Sequence, residues 1–292
     1  MLEKSCKIGM REFFGRRPSR LSCSIDIDNF KFDNSWGPVN AFEQLVNLGI
    51  NSPQLTAEWV DNHYRLLVWK WISYCKQYPE IFPDSQYLKP SIIFNQLCYR
   101  VEKEIHNGKR PIFRKMSEKD VPFSLTIVVV VFSILNENSI LISDGWYCLQ
   151  ADLDESLKAY LSRGKIFVGQ KLRVSGATCK SESSDGVPIL EAGNGRIVLH
   201  LNANGVMRAK WDTNLGLAKC PWMFRLLKDV KGSGGNIPCM KLTISRMYQT
   251  IFVEKVNGKR FARSLEEEEL EQQQYSVIRF RFCPDLLQKP VI

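Results

Sequence analysis

The side chains of this sequence that could hold a metal ion or act as nucleophiles do not have the spacing that such chemistry needs. The chain has 3 His and 9 Cys in 292 residues, and no two cysteines stand at the C-x-x-C spacing of a zinc or redox site. His106 and His200 have no cysteine near them in sequence, and His63 falls inside an amphipathic helical pattern. We therefore expect no metal ligand among these residues.

Sequence motifs of phosphate and acyl chemistry are absent as well. The turn Gly193-Asn194-Gly195 has no third glycine and precedes a strand pattern, so it is not a dinucleotide fingerprint. The chain contains no P-loop, no H-E-x-x-H and no G-x-S-x-G sequence. We predict a protein that is not an enzyme, with no catalytic residue, no cofactor and no metal. Metal-dependent or nucleotide-dependent turnover would contradict this prediction.

Positive charge is concentrated in one part of the chain. The net charge is +9, and residues 202–263 hold 12 Lys and Arg against 3 Asp and Glu, a balance of +9. Residues 1–20 add +4, from 6 basic and 2 acidic side chains, so the remainder sums to −4. A basic segment of this kind fits nucleic acid or an acidic protein, although a solvated surface rich in lysine gives the same count.

The composition is typical of a folded protein of the cell interior. A hydrophobic content of 44%, with 7 Trp, is enough for two modest domains. The longest apolar run, around residues 127–132, is too short to span a bilayer, and no signal region follows residues 1–7. The scattered cysteines predict reduced thiols, so we expect a soluble intracellular protein.

Residues 39–118 have the pattern of an all-helical domain. Asn40–Glu43 forms a capping-box pattern, and Ser52-Pro53 predicts the start of a second helix. A third helix is predicted after Pro90. The second helix carries apolar residues at a spacing of about 3.6, namely Trp59, Val60, Tyr64, Leu67, Val68, Trp71, Ile72 and Cys75.

The order of elements then becomes that of an oligonucleotide-binding (OB) barrel. Strand patterns cover residues 123–135, 139–143, 146–152, 170–179 and 196–203, with a helix at 155–163 after the third. The first strand is apolar on both faces, as expected of a strand covered on two sides. Asp144-Gly145 predicts a two-residue type I′ hairpin. Three strands, a helix and two strands is the order of a five-stranded OB barrel.

The predicted fold class is therefore α+β, an all-α helical domain followed by an OB-fold β-barrel. We divide the chain into a poorly ordered lead-in (1–38), a helical domain (39–118), an OB barrel with an inserted basic connector (119–263), and the start of a helical segment with a divergent tail (264–292). Within the third part, residues 204–238 are the irregular basic connector, and residues 239–254 are predicted to form one more long strand.

Several long motifs stand out in both predicted domains. In the helical part they are Trp59-Val60-Asp61-Asn62-His63-Tyr64-Arg65 and Val68-Trp69-Lys70. In the following part they are Asp144-Gly145-Trp146-Tyr147, Val168-Gly169-Gln170-Lys171, Gly176-Ala177, Trp211, Leu215-Gly216 and Gly234-Gly235-Asn236. In type and in order, over about residues 40–270, these motifs resemble those of the breast cancer type 2 susceptibility protein family.

This resemblance implies a nuclear protein of DNA double-strand break repair by homologous recombination. Members of the family bind single-stranded DNA and load the strand-exchange recombinase. Their helical domain and first barrel also bind a small, acidic, disordered protein of the split-hand/split-foot deletion type. Relatives continue into a helical tower and two further OB barrels, whereas here we expect the tower to begin at residues 264–274 and then give way to an unrelated ending. We therefore expect a shortened product or a fragment, with at most indirect contact to the recombinase.

The helical domain is the better candidate for a protein interface. Trp59, Trp69 and Trp71 share one predicted helix, and three indoles cannot all point into one small core. Packing of Trp69 on the barrel accounts for a second apolar face slightly better than a partner contact does. Basic side chains would attract an acidic partner. The predicted partner-binding set is Trp59, Arg65, Trp69, Lys70, Trp71, Arg100 and Trp146.

The barrel loops that usually hold a nucleic-acid strand are poorly suited to it here. The loop at residues 136–139 has no basic residue, and the loop at 180–194 holds one Lys against three acids. We expect weak binding of single-stranded DNA, for which the basic connector offers another surface. The predicted nucleic-acid set is Lys210, Trp211, Arg225, Lys228, Lys241 and Arg246. A merely solvated surface fits these residues equally well.

Two functions follow from the sequence. The first is an interaction module of homologous recombination that a small acidic protein clamps and that binds single-stranded DNA weakly. The alternative is an autonomous, non-specific single-stranded DNA-binding OB protein that uses the basic connector. A steep dependence of DNA affinity on salt would favour the alternative.

Overall fold

The computed structural model describes residues 27, 30–32, 35–50, 52–181 and 186–282. The chain forms two compact units, Met1–Lys241 and Leu242–Ile292. Helices precede a curled mixed sheet in the first unit, so the predicted α+β class is confirmed. Most of the predicted lead-in and the last ten residues lie outside the described part, as do residues 182–185 of the second barrel loop.

The helices of the described chain fall before, within and after the barrel. They are α1 (Pro38–Asn47), α2 (Ala57–Gln77), α3 (Asp84–Tyr87), α4 (Pro90–Arg100) with a π-helical continuation (Val101–His106), α5 (Ile112–Ser117), α6 (Glu155–Ser162), α7 (Ile189–Glu191) with a π-helical continuation (Ala192–Arg196), and α8 (Leu265–Phe282). Short 3-10 turns lie at Ala203–Gly205 and Leu227–Asp229. Across the described residues, none of these helices has both the length and the apolar character that crossing a membrane requires.

The predicted start of the first helix is wrong. Helix α1 begins at Pro38, and Gly37 is its N-cap. Asn40 instead lies in the first turn, where its Oδ1 accepts a hydrogen bond from the Gly37 N–H (3.1 Å). Proline at the first helical position, whose missing N–H would be unsatisfied there in any case, accounts for the earlier start.

The predicted start of the second helix is wrong as well. Helix α2 begins at Ala57, because the Thr56 Oγ1 accepts a hydrogen bond from the Trp59 N–H (3.1 Å) and so caps the first turn. The Ser52 Oγ accepts from the Gln54 N–H (3.3 Å), which closes a turn before the helix. Ser52 and Thr56 are both residues that commonly cap helices, and the sequence pattern alone does not show which of them precedes the first turn.

The barrel is built from seven strands of the main sheet and one short addition. The described strands are β1 (Ile127–Ile134), β2 (Ser139–Ser143), β3 (Cys148–Leu153), β4 (Lys171–Val174), β5 (Thr178–Ser181), β6 (Ile197–Leu201), β7 (Val206–Arg208), β8 (Gly216–Leu217), β9 (Phe224–Arg225), β10 (Cys239–Met240), β11 (Phe252–Val256) and β12 (Lys259–Arg263). The sheet order is β5-β6-β3-β2-β1-β4-β7, and β8 also pairs with β1.

One predicted strand closes the barrel. The pattern at residues 170–179 is divided into β4 and β5 around Gly176, whose φ of +70° bends the chain there. Strand β4 pairs with β1, and β5 pairs with β6 at the other end of the sheet order. Since β3 and β6 pair in parallel and the other main pairings are antiparallel, the connectivity is that of the OB barrel.

The loop between β2 and β3 is longer than the predicted type I′ hairpin. Pairing ends at Ser143 and Cys148, which leaves a four-residue loop, and Gly145 has a positive φ (+90°) whereas Asp144 does not. A type I′ turn needs positive φ at both central residues, so that prediction is wrong. The Asp144 Oδ1 accepts from the backbone N–H groups of Trp146 and Tyr147 (2.9 Å each), which fixes a wider turn.

The predicted strand at residues 239–254 is also wrong. Strand β10 pairs in parallel with β9 inside the first unit, whereas β11 pairs with β12 in the second. The residues between β10 and β11 are not part of a strand. The apolar pattern of the sequence runs across the boundary between the two units. The backbone pairing does not, so the segment is not one continuous strand.

Strand β1 separates two hydrophobic cores. Val129 and Val131 face the barrel interior, whereas Val130 and Phe132 pack against the helical domain, so the predicted burial of both faces is confirmed. The Trp69 ring of α2 lies 5.1 Å from the Phe132 ring, which confirms its packing on the barrel. Helical domain and barrel therefore share a continuous apolar junction, which includes helix α2.

Candidate binding site at the junction of helical domain and barrel

A buried carboxylate joins the helical domain to the barrel. Glu104, in the π-helical continuation of α4, is 1% exposed. Its oxygens accept hydrogen bonds from Trp59 Nε1 (3.2 Å), Tyr147 Oη (2.7 Å) and Arg114 Nη1 (2.8 Å). Burial alone would raise the pKa of Glu104, but hydrogen bonds from His63, Tyr147 and Arg114 outweigh it and lower the pKa to about 2. The carboxylate is therefore ionised and held by three elements of the fold.

His63 connects this carboxylate to Arg100. The Arg100 Nη1 lies 2.7 Å from His63 Nδ1, and its Nη2 donates to the Gly145 carbonyl (2.7 Å). Because a guanidinium can only donate, His63 Nδ1 accepts and the imidazole carries its proton on Nε2, 3.4 Å from Glu104 Oε2. Burial lowers the pKa of His63 to about 3; the hydrogen bond to Glu104 opposes this shift, and the positive charge of Arg100 adds to it.

Stability should therefore depend on pH through His63. In the unfolded chain the imidazole has its ordinary pKa of 6.5, whereas in the folded chain it stays neutral down to about pH 3. Because the unfolded state binds the proton first, the stability of the fold decreases as the pH drops through 6.5. From pH 7.5 to 5.5 we expect the free energy of unfolding to fall by about 1.4 kcal/mol on this account. Urea unfolding at both values, for the wild type and His63→Gln, measures the difference. Equal pH dependence in the two proteins would contradict a neutral buried His63.

These polar contacts hold the junction together and leave no reactive group accessible. His63, Glu104 and Asp144 are all buried, and Asp144 also accepts from the Phe113 N–H (3.0 Å). In the described ranges, no group of three or more His, Cys, Asp or Glu side chains could hold a metal ion. The network fits a structural role, and the surface beside it is the candidate for binding.

Beside the network lies a cleft of about 400 Å³ between α2 and the barrel, here named the basic cleft. Its basic lining is Lys70, Arg100 and Lys171, and its aromatic lining is Trp69, Tyr74, Tyr78, Tyr99, Phe132, Trp146 and Trp211. The Arg100 guanidinium lies 4.9 Å from the centroid of the Trp146 ring, and the Lys70 Nζ lies 5.4 Å from that of Trp71. Cations over aromatic faces are held in place without losing their charge.

Two of the three cations of the basic cleft, Lys70 and Lys171, have no carboxylate paired with them among the described residues, whereas Arg100 interacts with the carboxylates of Asp144 and Glu104. Burial lowers the pKa of Lys70 to about 8, and the positive charges of Arg100 and Lys171 act in the same direction. Within the described part of the chain, neither Lys70 nor Lys171 forms an ion pair, although Lys171 Nζ donates to the Thr213 carbonyl (2.7 Å). The Ser73 Oγ, in a side chain 7% exposed, has no hydrogen-bond partner there either. An anionic ligand would supply an ion-pair partner for Lys70 and Lys171 and a hydrogen-bond partner for the Ser73 hydroxyl.

The fold brings together four of the seven residues predicted for partner binding. Trp69, Lys70, Arg100 and Trp146 all line the basic cleft. They come from α2, α4 and the β2–β3 loop, and Asn62 Nδ2 donates to the Trp146 carbonyl (2.9 Å), which ties that loop to α2. Their assignment to partner binding stays a prediction.

The other three predicted partner residues lie elsewhere. Trp59 is 3% exposed and its indole N–H is bound to Glu104. Trp71 packs in an aromatic cluster, stacked on Tyr87 at 5.5 Å between ring centroids. Arg65 lines a separate cavity of about 770 Å³.

The predicted nucleic-acid residues do not share one element. Trp211 lines the basic cleft, with its ring 5.9 Å from that of Tyr78. Lys210 and Lys228 are exposed, Lys241 ends the first unit, and Arg246 lies in the second beside Tyr248 (5.8 Å). Arg225 donates from Nε to the Asn204 carbonyl (2.9 Å) and from Nη2 to those of Ala203 and Val206, so its guanidinium is engaged by the chain itself.

Sequence reasoning assigned no role to two residues, Lys171 and Glu104, that lie at the junction in the structure. Lys171 lies in the motif Val168-Gly169-Gln170-Lys171, and its outward position in an alternating strand could have identified it. Glu104 stands at helical spacing between Val101 and Ile105, on an otherwise apolar face, which signals a paired acid. The partners of Glu104 come from distant segments, and no spacing in the sequence reveals them.

Two family models match adjacent parts of the chain. Residues 40–108 match the model described as BRCA2, helical, and residues 111–219 match BRCA2, oligonucleotide/oligosaccharide-binding, domain 1. Two relatives from Arabidopsis thaliana, Protein BREAST CANCER SUSCEPTIBILITY 2 homolog A and homolog B, are each 28% identical to this chain. Each alignment covers 88% of this chain and 25% of the relative, so the chain spans about a quarter of their length.

Proposed function

Because this chain belongs to the BRCA2 family, we propose that it is a binding module of DNA repair by homologous recombination, one that holds a small acidic protein in the basic cleft. The module has no catalytic role in this proposal. It acts in the nucleus, contacts single-stranded DNA weakly, and reaches the recombinase only through other parts of the assembly. The partner is of the split-hand/split-foot deletion type.

The observation that carries this proposal is that two lysines, Lys70 and Lys171, line an aromatic-rich cleft and form no ion pair within the described part of the chain. Lys70, Arg100 and Lys171 converge from three elements at the junction of the two domains. The burial that lowers the pKa of Lys70 also weakens solvent screening, so a carboxylate placed there would interact more strongly than at an open surface. Apolar side chains of the partner would fill the aromatic part of the cleft.

Removal of the two cleft lysines should weaken the acidic partner selectively. In the full chain carrying Lys70→Met and Lys171→Met, which keep an apolar stem, we expect affinity for the purified acidic protein to fall by about tenfold or more, since buried charge pairs are worth more than rim pairs. The matched control is Lys76→Met, an exposed lysine in the last turn of the same helix. Titration calorimetry measures both.

Unchanged affinity in the double variant, with wild-type circular dichroism, would place the partner elsewhere and overturn the proposal. The alternative function is an autonomous, non-specific single-stranded DNA binder, favoured by the exposed basic residues Lys210 and Lys228 of the connector. Binding of the chain to an oligonucleotide without the partner, across a salt series, separates the two. Tight binding with a steep salt slope, unaffected by the partner, favours the alternative.

A further inference from the structure

Two large aromatic side chains of the connector are exposed. Trp222 is 62% exposed and Phe224 is 54% exposed. They stand on either side of Met223, which is 1% exposed and anchors the segment to the first unit. We name Trp222 and Phe224 the connector platform. Exposed aromatic side chains that stand together on an anchored segment are candidates for a binding surface.

The backbone below the connector platform is held by the barrel. The Thr126 Oγ1, just before β1, donates to the Pro221 carbonyl (2.5 Å). Arg173 of β4 donates from Nη2 to the carbonyls of Cys220 and Trp222, the latter at 3.1 Å. These contacts occupy the inward backbone groups, so the aromatic rings are presented from a fixed base.

A second anchor follows directly after the platform. Arg225 points inward, where its guanidinium donates to three backbone carbonyls around the 3-10 turn Ala203–Gly205. Strand β9, which contains Phe224 and Arg225, pairs with β10. Alternation along the chain therefore places Met223 and Arg225 inside, and Trp222 and Phe224 outside.

The charge around the platform is mostly positive in sequence. Residues 216–229 contain Lys219, Arg225 and Lys228 against one acid, Asp229. Lys219 and Lys228 are exposed, and the Arg173 guanidinium lies within hydrogen-bond distance of the Trp222 carbonyl. An apolar protein surface would cover the rings without using these cations. A single strand of nucleic acid uses both, because its bases stack on aromatic faces and its phosphates need positive charge.

We propose that the connector platform is the single-stranded DNA contact of this chain, with bases stacked on Trp222 and Phe224 and phosphates near Lys219 and Lys228. This inference rests on the DNA-binding part of the proposed function and deepens it, since it moves the contact away from the acidic barrel loops. Duplex DNA, in which bases are already stacked on each other, offers no free faces and should bind less well.

Loss of the exposed rings should weaken single-stranded DNA binding in the full chain. With a fluorescent oligothymidine of about 20 nucleotides at low salt, we expect Trp222→Ala and Phe224→Ala each to lower affinity by about tenfold, as base–aromatic stacking energies indicate. Trp222→Phe, which keeps an aromatic face, should retain most of the affinity. The matched control Leu48→Ala removes an apolar side chain of equal exposure (62%) after α1 and should have no effect.

The outcomes separate this inference from the proposed function. Wild-type affinity in both alanine variants, or equal loss in Trp222→Phe and Trp222→Ala, would overturn the platform. So would a wild-type chain that binds no oligonucleotide at low salt, or one that prefers the duplex. In each of these cases, intact binding of the acidic protein to the basic cleft would leave the proposed function standing. If a protein partner protects Trp222 from quenching while DNA does not, the surface is a protein contact and the inference fails.

Discussion

Replacement of Glu104 by alanine is expected to lower the free energy of unfolding by about 3–5 kcal/mol, the cost of removing one partner from a buried charged network. The Glu104 carboxylate accepts from Trp59, Tyr147 and Arg114 and lies 3.4 Å from His63 Nε2. Without the carboxylate, the indole N–H and the phenol hydroxyl are buried donors with no acceptor. The free-energy cost of leaving them unsatisfied is larger than the net stabilisation that their hydrogen bonds provided.

Urea unfolding at pH 7 measures this loss of stability, and two further variants serve as comparisons. Glu104→Gln keeps the shape and part of the hydrogen bonding, so we expect a smaller loss than for alanine. Glu102→Ala removes a carboxylate from the same π-helical segment, but that side chain is 59% exposed, so its loss should be much smaller than that of Glu104→Ala. Similar destabilisation by Glu104→Ala and Glu102→Ala would show that the buried network does not hold the junction.

Gly205→Ala is expected to destabilise the barrel by about 3 kcal/mol, since it forces a methyl group into closely packed backbone. A Cβ at this position would lie less than 3.0 Å from the Ser175 carbonyl oxygen, a backbone atom that cannot rotate away. The Ser175 N–H also donates to the Gly205 carbonyl (2.8 Å), so the methyl group would separate two segments that are hydrogen-bonded to each other.

The matched control for Gly205→Ala is Gly232→Ala in the connector. At Gly232 an alanine methyl group would have no atom within 4 Å, and the φ of this residue is not positive, so alanine should be tolerated there. Thermal unfolding followed by circular dichroism compares the two. Wild-type stability of Gly205→Ala would mean that the turn at Ala203–Gly205 can move away from the end of β4. Such movement should also loosen the carbonyl groups that hold Arg225 below the connector platform.

The sequence determined the order and kind of the main elements because they depend on local periodicity. Apolar residues at helical spacing defined α2, and two-sided apolar character identified β1 as a strand covered on both faces. The OB connectivity followed from the order of strands and the single helix α6. Family motifs such as Val168-Gly169-Gln170-Lys171 lie in these elements.

Element ends and pairings were less well predicted because several local solutions compete. Thr56 and Ser52 both have side chains that can cap a helix, and only the three-dimensional structure shows that Thr56 is the N-cap of α2. The apolar pattern of residues 239–254 fits a strand, but strands exist only when they pair, and its two ends pair in different units.

The candidate sites depended most on tertiary structure. The sequence supplied the residue types, including Lys70 and Trp69 on one helix, but a cleft forms only where α2 meets the β2–β3 loop and β4. Lys171 and Trp211 join Lys70 there from about 100 and 140 positions along the chain, and no local pattern encodes that meeting. Exposure was decided in the same way: Trp59 is buried against Glu104 while Trp222 faces solvent, although the residue type is the same. Periodicity reports what a segment can form by itself, whereas burial and charge depend on what packs beside it.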